Sequence, residues 1–397
     1  MTRILFAWEL GANLGHLTRD LPLARACRDA GLEVIFAVPN LRAAADLLRD
    51  EEFTMVQAPL LRSPIKRVSP PVNYADMLLH EGYDDAEALT GALNGWRGLI
   101  ELARPALLVY NHAPTALIAA RRMDLPVLLI GTGFEIPPVQ SPMPSFRPWQ
   151  RIPVQVLHDA ESLVLAHINR HLVHSNQGCL ATLADAFASS NVRLTSFPEL
   201  DPFGPRVGVD YIGPVHALPR MPKVVWQGGR PRRIFAYLRP SLLGCDNLLA
   251  ALQALDAEVV CTMPGLPKAW CTRYDKVRFL SHPADLNGLL PGADLVITYG
   301  AGTIATALLA AVPVLLMPQM VEQLLAGLRL EATGAGLILR EPRSPKRCAE
   351  ALANVLNDPR YTLAAVAFAQ MHAGFDLARA NSQLWAELAQ MLNPERP

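Results

Sequence analysis

Short runs of Val, Ile and Leu alternate with longer helix-length stretches along nearly the whole chain. In the first half these runs are Ile4–Trp8, Val34–Val38, Leu107–Tyr110, Val127–Ile130 and His171–Val173. In the second half they are Ile234–Tyr237, Val259–Thr262, Val277–Leu280, Leu295–Thr298 and Val314–Met317. Runs that are apolar at nearly every position, rather than at every second one, predict strands of parallel sheets covered on both faces. The pattern breaks once, between Gly213 and Arg232, where Pro214, Pro219, Pro222 and Pro231 join the adjacent Gly228 and Gly229. That composition predicts an interdomain linker. The expectation is therefore an α/β chain of two tandem Rossmann-like, doubly wound domains. They would occupy residues 1–213 and 233–372, with a linker at 214–232. A ligand cleft would lie at the carboxyl ends of both sheets. The tail, 373–397, contains an amphipathic pattern over Ala373–Leu392 that predicts a helix packing back on the first domain.

Composition narrows the class. A chain of 397 residues is long enough for two domains with real cores, and its 51% hydrophobic content is globular. The 36 basic residues equal the 36 acidic ones, so no global charge favours nucleic acid. The opening MTRILFAWEL has no basic segment before a long apolar core, and no run approaches the roughly 18 apolar residues of a membrane span. Cys27, Cys179, Cys245, Cys261, Cys271 and Cys348 are scattered, without a C-x-x-C pair. They predict reduced thiols in a cytoplasmic protein. A monomer or a dimer is expected, with peripheral membrane contact left open.

Two turns carry candidate chemistry. Asp294–Gln323 reads as a strand, the turn Tyr299-Gly300-Ala301-Gly302-Thr303, a helix from about Ile304 to Ala311, a second strand, and then Glu322-Gln323. A small-residue turn opening a helix presents unpaired N–H groups at the positive end of the helix dipole, which suits phosphate. In the first half, Gly11 and Gly15 allow a tight turn after the first strand. His16 would then sit in the first turn of a helix marked by Leu17, Leu21, Ala24 and Arg28. The helix N-terminus disfavours an imidazolium and keeps His16 basic. A histidine that merely caps or packs locally fits the same residues. Two proline-rich stretches with exposed-type aromatics, Arg62–Asn73 and Ile136–Trp149, read as loops that either select a substrate or cover a sheet edge.

Taken together, the two halves resemble a known family. The Gly15-His16 turn, Asp29-Ala30-Gly31 and Leu32–Ala37 resemble its GH opening. Asp294–Gln323 resembles its glycine-rich block, and Thr333–Gly336 the GAG that follows. The family is the GT-B glycosyltransferases that use nucleotide sugars, nearest to the bacterial UDP-glucosyl/glucuronosyltransferase-like enzymes that modify natural products and lipids. The resemblance implies an inverting, metal-independent transfer of a hexose from a UDP- or dTDP-sugar to a hydroxyl of a small apolar or lipid-like acceptor. It implies no cofactor beyond that co-substrate. On this resemblance His16 is the base. Gly300, Ala301, Gly302 and Thr303 hold the diphosphate. Glu322 and Gln323 bind sugar hydroxyls, and the segment from Ser281 and His282 to Leu286 reads the nucleobase.

This chain departs from the family pattern at several positions. Tyr299 stands where the family has a diphosphate-binding histidine, and one following glycine is missing. Thr306 replaces a ribose-binding Glu. Ala311 replaces a Gly, read as a mild packing change. Asn111-His112 stands near the usual base-orienting Asp, and His112 is itself a candidate second base or acceptor contact. Arg239, at the end of the Ile234–Leu238 run, could supply the positive charge that Tyr299 lacks. Two other readings remain: a catalytically weak GT-B protein that binds a nucleotide or a partner, and a sugar-nucleotide 2-epimerase.

Overall fold

The computed structural model describes residues 1–11, 15–63, 69–217, 223–281 and 284–393. The chain divides into two compact units. Unit 1 is Met1–Ser196, Arg206–Ala217 and Asp376–Pro397, and unit 2 is Phe197–Pro205 and Leu218–Phe375.

Unit 1 is built on seven parallel strands: β1 Arg3–Trp8, β2 Glu33–Val38, β3 Thr54–Gln57, β4 Leu107–Asn111, β5 Val127–Gly131, β6 Val192–Leu194 and β7 Asp210–Tyr211. Their order is β3-β2-β1-β4-β5-β6-β7, with all neighbours parallel. Unit 2 holds six: β8 Arg233–Tyr237, β9 Glu258–Thr262, β10 Val277–Leu280, β11 Leu295–Thr298, β12 Val314–Leu316 and β13 Gly336–Ile338. Their order is β10-β9-β8-β11-β12-β13, again all parallel. Each sheet thus reverses its direction of winding once, between β1 and β4 in unit 1 and between β8 and β11 in unit 2. The crevice outside the carboxyl ends of such a pair is where open α/β sheets place ligands.

Both cores follow from the strand pattern. Ile4, Leu5, Phe6, Leu107, Leu108 and Val109 are fully buried in unit 1, as are Ile234, Ala236, Val296, Ile297 and Leu315 in unit 2. Central strands with no solvent face have no position for a polar side chain, and this accounts for the near-continuous apolar runs.

Several sequence expectations change. His171–Val173 is no strand. It lies in the helix Val154–His174, whose buried residues Leu157, Glu161, Val164, Ile168 and Leu172 recur at helical spacing. A three-residue apolar run cannot separate strand from helix, and the longer period decides. The short strands β3, β6 and β7, of which β3 and β7 are the edges, carry too little apolar sequence to stand out. The glycine-rich turn is one turn shorter than predicted: the helix spans Ala301–Leu309, with Gly300 as its N-cap. Phe197–Pro205, inside the span read as the first domain, clusters with unit 2. There Phe197 packs against Phe368 and Phe375. The last helix, Leu377–Leu392, belongs to unit 1, with Ala380, Leu384 and Leu388 buried and Glu387 ion-paired to Arg193 at 2.5 Å.

The two proline-rich stretches are tied together. Asn73 and Ser145 form an antiparallel bridge, and the Phe146 N–H donates to Val72 O at 2.7 Å. Residues 64–68 of the first stretch lie outside the described residues. Phe146 is fully buried against Phe134, and Trp149 is half exposed. Among the described residues no helix is long and apolar enough to cross a membrane. All six cysteines are free thiols.

Candidate functional site

In unit 1 the crevice between β1 and β4 gathers buried polar groups. Trp8 ends β1 directly across from Asn111, which ends β4. The chain then reaches the helix Gly15–Asp29, whose first turn carries His16. His16 Nδ1 and Asn111 Oδ1 are 2.8 Å apart, while Asn111 Nδ2 donates to the His16 backbone O at 3.0 Å. An amide oxygen only accepts, so this pairing places the His16 proton on Nδ1 and leaves Nε2 as the basic nitrogen. The ring is sandwiched between Trp8, at 5.2 Å, and His112, at 5.8 Å. Nε2 faces Gly11. A Cβ at that residue would lie 2.7 Å from Nε2, and Gly11 has φ +88°, so both space and backbone require glycine. Residues 12–14 of this turn lie outside the described residues.

His16 is depressed to about 4. Burial is the largest cause, reinforced by the Arg19 guanidinium and opposed by Glu135 and the Asn111 hydrogen bond. The expected cause, the helix N-terminus, is not the leading one. Desolvation of a residue only 7% exposed is instead the main cause. His112 is depressed to about 3 by burial and by His16. Its Nε2 is buried without a hydrogen-bond partner, and its φ of +52° is left-handed, a conformation stored in proteins mainly at constrained sites. Its backbone O accepts from Leu10 N at 2.9 Å, tying the two strand ends together.

Three charged residues behind the imidazole were not singled out from the sequence. Arg19 donates to Glu135 at 2.7 Å and to Asn111 Oδ1 at 3.4 Å. Glu135 also accepts from Thr132 N and Oγ1 at 2.8 and 2.7 Å. Burial pushes the Glu135 carboxyl up, but Arg19 and the two imidazoles outweigh it and hold the group well below the usual carboxylate range. Asp20, one turn after His16, is fully buried. The i, i+4 spacing of His16 and Asp20 was the available signal, because a carboxylate on the buried face of a helix is out of pattern.

In unit 2 the crevice between β8 and β11 gathers the second set. The Tyr299 ring stacks on Tyr237 at 5.4 Å, and the Arg239 guanidinium lies 5.6 Å above Tyr299. Burial pushes the Tyr299 phenol above its ordinary range, with Tyr237 adding to it, so Tyr299 stays a neutral donor. Among the described residues Arg239 makes no ion pair. Behind Tyr299, the N-cap Gly300 provides no side-chain cap for the helix Ala301–Leu309, and the Gly300 N–H donates to Thr298 Oγ1 at 3.3 Å. A Cβ on Gly300 or Gly302 would meet nothing within 4 Å, so neither glycine serves internal packing. They leave bare backbone at the helix start, where N–H groups are unpaired.

Glu322 and Gln323 open the helix Val321–Thr333. Gln323 is buried, and its Oε1 accepts from Gln319 N at 2.8 Å. Gln319, another residue the sequence reading passed over, accepts the Leu243 N–H at 2.8 Å and so links the turn after β8 to the turn after β12. Thr306 is half-buried in the second turn of the helix Ala301–Leu309. Ser281 is exposed just after β10, and His282 lies outside the described residues.

Ala311 is more than a packing change. Its φ is +59°, and the Val312 N–H bonds Ala307 O while the Ala311 N–H bonds Leu308 O, both at 3.0 Å. This is a left-handed helix stop, where glycine avoids a steric penalty. The equivalent stop of the unit 1 helix uses Gly31, at φ +80°.

Comparison with known proteins agrees with this architecture. The spinosyn rhamnosyltransferase SpnG, solved in complex with thymidine diphosphate, superposes with a TM-score of 0.66 at 21% identity, covering 97% of this chain and 99% of its own. The chain has the GT-B fold. Residues 246–375 of this GT-B chain match the erythromycin biosynthesis protein CIII-like C-terminal domain. An aklavinone 7-beta-L-rhodosaminyltransferase of Streptomyces galilaeus is 32% identical over 165 residues, 41% of this chain and 36% of its own length. The chain likewise spans only 28% and 34% of two further Streptomyces sugar transferases. A PGL/p-HBAD biosynthesis glycosyltransferase of Mycobacterium tuberculosis is 26% identical over 410 residues, 94% of this chain and 90% of its own. The resemblance to bacterial natural-product glycosyltransferases carried by the motifs is borne out.

Proposed function

We propose that this GT-B chain is an inverting glycosyltransferase that moves a hexose from a nucleoside diphosphate sugar to a hydroxyl of a small apolar acceptor. The observation that carries this reading is the His16–Asn111 pairing, which leaves Nε2 of a neutral imidazole as the free base. In the proposed step His16 Nε2 takes the proton of the acceptor hydroxyl. The acceptor oxygen forms its bond to the anomeric carbon from the face opposite the leaving group, and the bond from that carbon to the diphosphate oxygen breaks. The nucleoside diphosphate departs with the bonding pair and gains negative charge. Unit 2 supplies the groups for that charge: the N–H groups of Ala301, Gly302 and Thr303, the Tyr299 hydroxyl and the Arg239 guanidinium. A preorganised donor set of this kind stabilises developing charge without rearrangement. The leaving-group charge is therefore assigned to protein groups, with no metal in the scheme.

A thymidine diphosphate sugar is the donor to test first, because SpnG was solved with thymidine diphosphate and a relative is named TDP-daunosamine transferase. The test is a thermal-shift screen with the diphosphates of thymidine, uridine and guanosine, followed by transfer assays with the matching hexoses. A ligand that binds only the folded state raises its midpoint. Equal turnover by wild type and His16→Ala, or no shift with any of the three nucleotides, would overturn the proposal.

A further inference from the structure

Asp20 is a buried carboxyl group of unit 1 that the proposed step leaves unused. It is fully buried, and neither carboxyl oxygen has a hydrogen-bond partner of ordinary geometry. A carboxyl group left in this way costs several kcal/mol if ionised, and a leucine in the same helix face would cost nothing of the kind. Its surroundings are nevertheless polar on one side. The groups acting on it are the Asn111 amide from β4 and the Arg19 guanidinium from its own helix, which favour the anion, and Glu135 from the loop after β5, which opposes it. The C-terminal helix packed on the same helix brings Glu387, which is held by Arg193. Asn111 Nδ2 carries two hydrogens, and one is donated to His16 O. The second hydrogen is on the amide that acts on Asp20 and favours its anion.

We propose that Asp20 is a positioning residue for His16, supplying through Asn111 the negative charge that the asparagine itself lacks. An asparagine orients an imidazole but adds no charge to stabilise the imidazolium that forms as the base takes a proton. Asp20 acts on the Asn111 amide, and Asn111 in turn holds His16 Nδ1, so the amide passes the carboxylate's field on: the anion polarises the amide N–H, and the amide oxygen becomes a stronger acceptor for the Nδ1 proton. Burial raises Asp20 to about 7, so its charge is available at and above neutral pH and absent in acid. The inference rests on His16 being the base, and its test is chosen so that the two stand or fall separately.

The first measurement needs no substrate. The ring nitrogen shifts of His16 in 15N-labelled protein are followed from pH 5 to pH 9 in wild type, Asp20→Asn and Asp20→Leu. Wild type shows a step with its midpoint near 7, and both variants lack it. A wild-type trace flat across that range, or a step that survives in the variants, overturns the proposal whatever the activity. The second measurement is transfer rate against pH. Both variants lose about tenfold or more at pH 8, together with the rising limb near 7. Asp20→Asn combined with Asn111→Asp recovers the rate by moving the carboxylate next to Nδ1. A merely structural Asp20 would give normal rates in Asp20→Leu and no recovery in the double variant, and either result overturns the idea. Absence of transfer by wild type sinks the transferase reading alone, because the spectroscopic arm still decides the coupling.

Discussion

Asn111 holds His16 by two bonds at once, accepting from Nδ1 at 2.8 Å and donating to the backbone O of the same residue at 3.0 Å. The pair joins the end of β4 to the first turn of the helix that follows β1, across the point where the sheet reverses. Ring orientation, tautomer and helix placement therefore depend on one side chain. Asn111→Leu should lower transfer about as much as loss of a general base does, 10²- to 10⁴-fold, while leaving nucleotide affinity in unit 2 unchanged. Steady-state rates with nucleotide titrations check both halves of that statement. Gly11→Ala should have the same signature, because the new Cβ would sit 2.7 Å from Nε2 at a backbone φ of +88°.

In unit 2 the Arg239–Tyr299 stack is expected to hold the diphosphate. Arg239→Ala should weaken thymidine or uridine diphosphate binding roughly 10- to 100-fold, the scale of a charge-assisted bond. It should leave the affinity for the uncharged nucleoside nearly as it was. Arg239→Lys should recover only part, since an ammonium keeps the charge but cannot lie flat on the Tyr299 ring. Calorimetric titration of the nucleoside against its diphosphate separates these outcomes, and equal losses for both would contradict the assignment.

Ala311→Gly should stabilise the protein. The left-handed conformation costs an alanine about 1–2 kcal/mol, and the greater freedom of glycine in the unfolded chain returns about 0.4–1 kcal/mol of that. A net gain on the order of 1 kcal/mol is expected, read as a higher denaturation midpoint with unchanged activity.

The buried groups of unit 1 make stability depend on pH in two opposite senses. His16 is depressed from 6.5 to about 4, so its contribution is complete above 6.5 and is lost as the pH falls through 4. Glu9 is raised from 4.5 to about 8 by burial, against its hydrogen bonds from Thr115 N at 3.0 Å and Thr115 Oγ1 at 2.5 Å. Its contribution is complete below 4.5 and is lost as the pH rises through 8. His16→Gln should therefore flatten the acid side of the stability profile, and Glu9→Gln the alkaline side. Denaturant midpoints for the three proteins between pH 4 and pH 9 test both signs.

The alternation of apolar runs and helical stretches was enough to reveal two parallel α/β units, because strands covered on both faces cannot hide a polar residue. The glycine turns and the lone residues His16 and Arg239 were legible because they interrupt that pattern at strand ends. Strand order was not legible, and it decides which strand ends become neighbours. Trp8 and Asn111 are more than 100 residues apart along the chain, and only the pairing of β1 with β4 brings them into register. The positions of Arg19 and Glu135 were hidden for the same reason: each is an ordinary polar residue in its own segment, and burial is a property of what packs around it. Asp20 was legible only as a carboxylate out of pattern on a helix face. The left-handed turn at Ala311 likewise belongs to the backbone path between helix and strand. Local composition determined which pieces this chain would form. Tertiary packing decided which charges lost their water, and with that the chemistry each could perform.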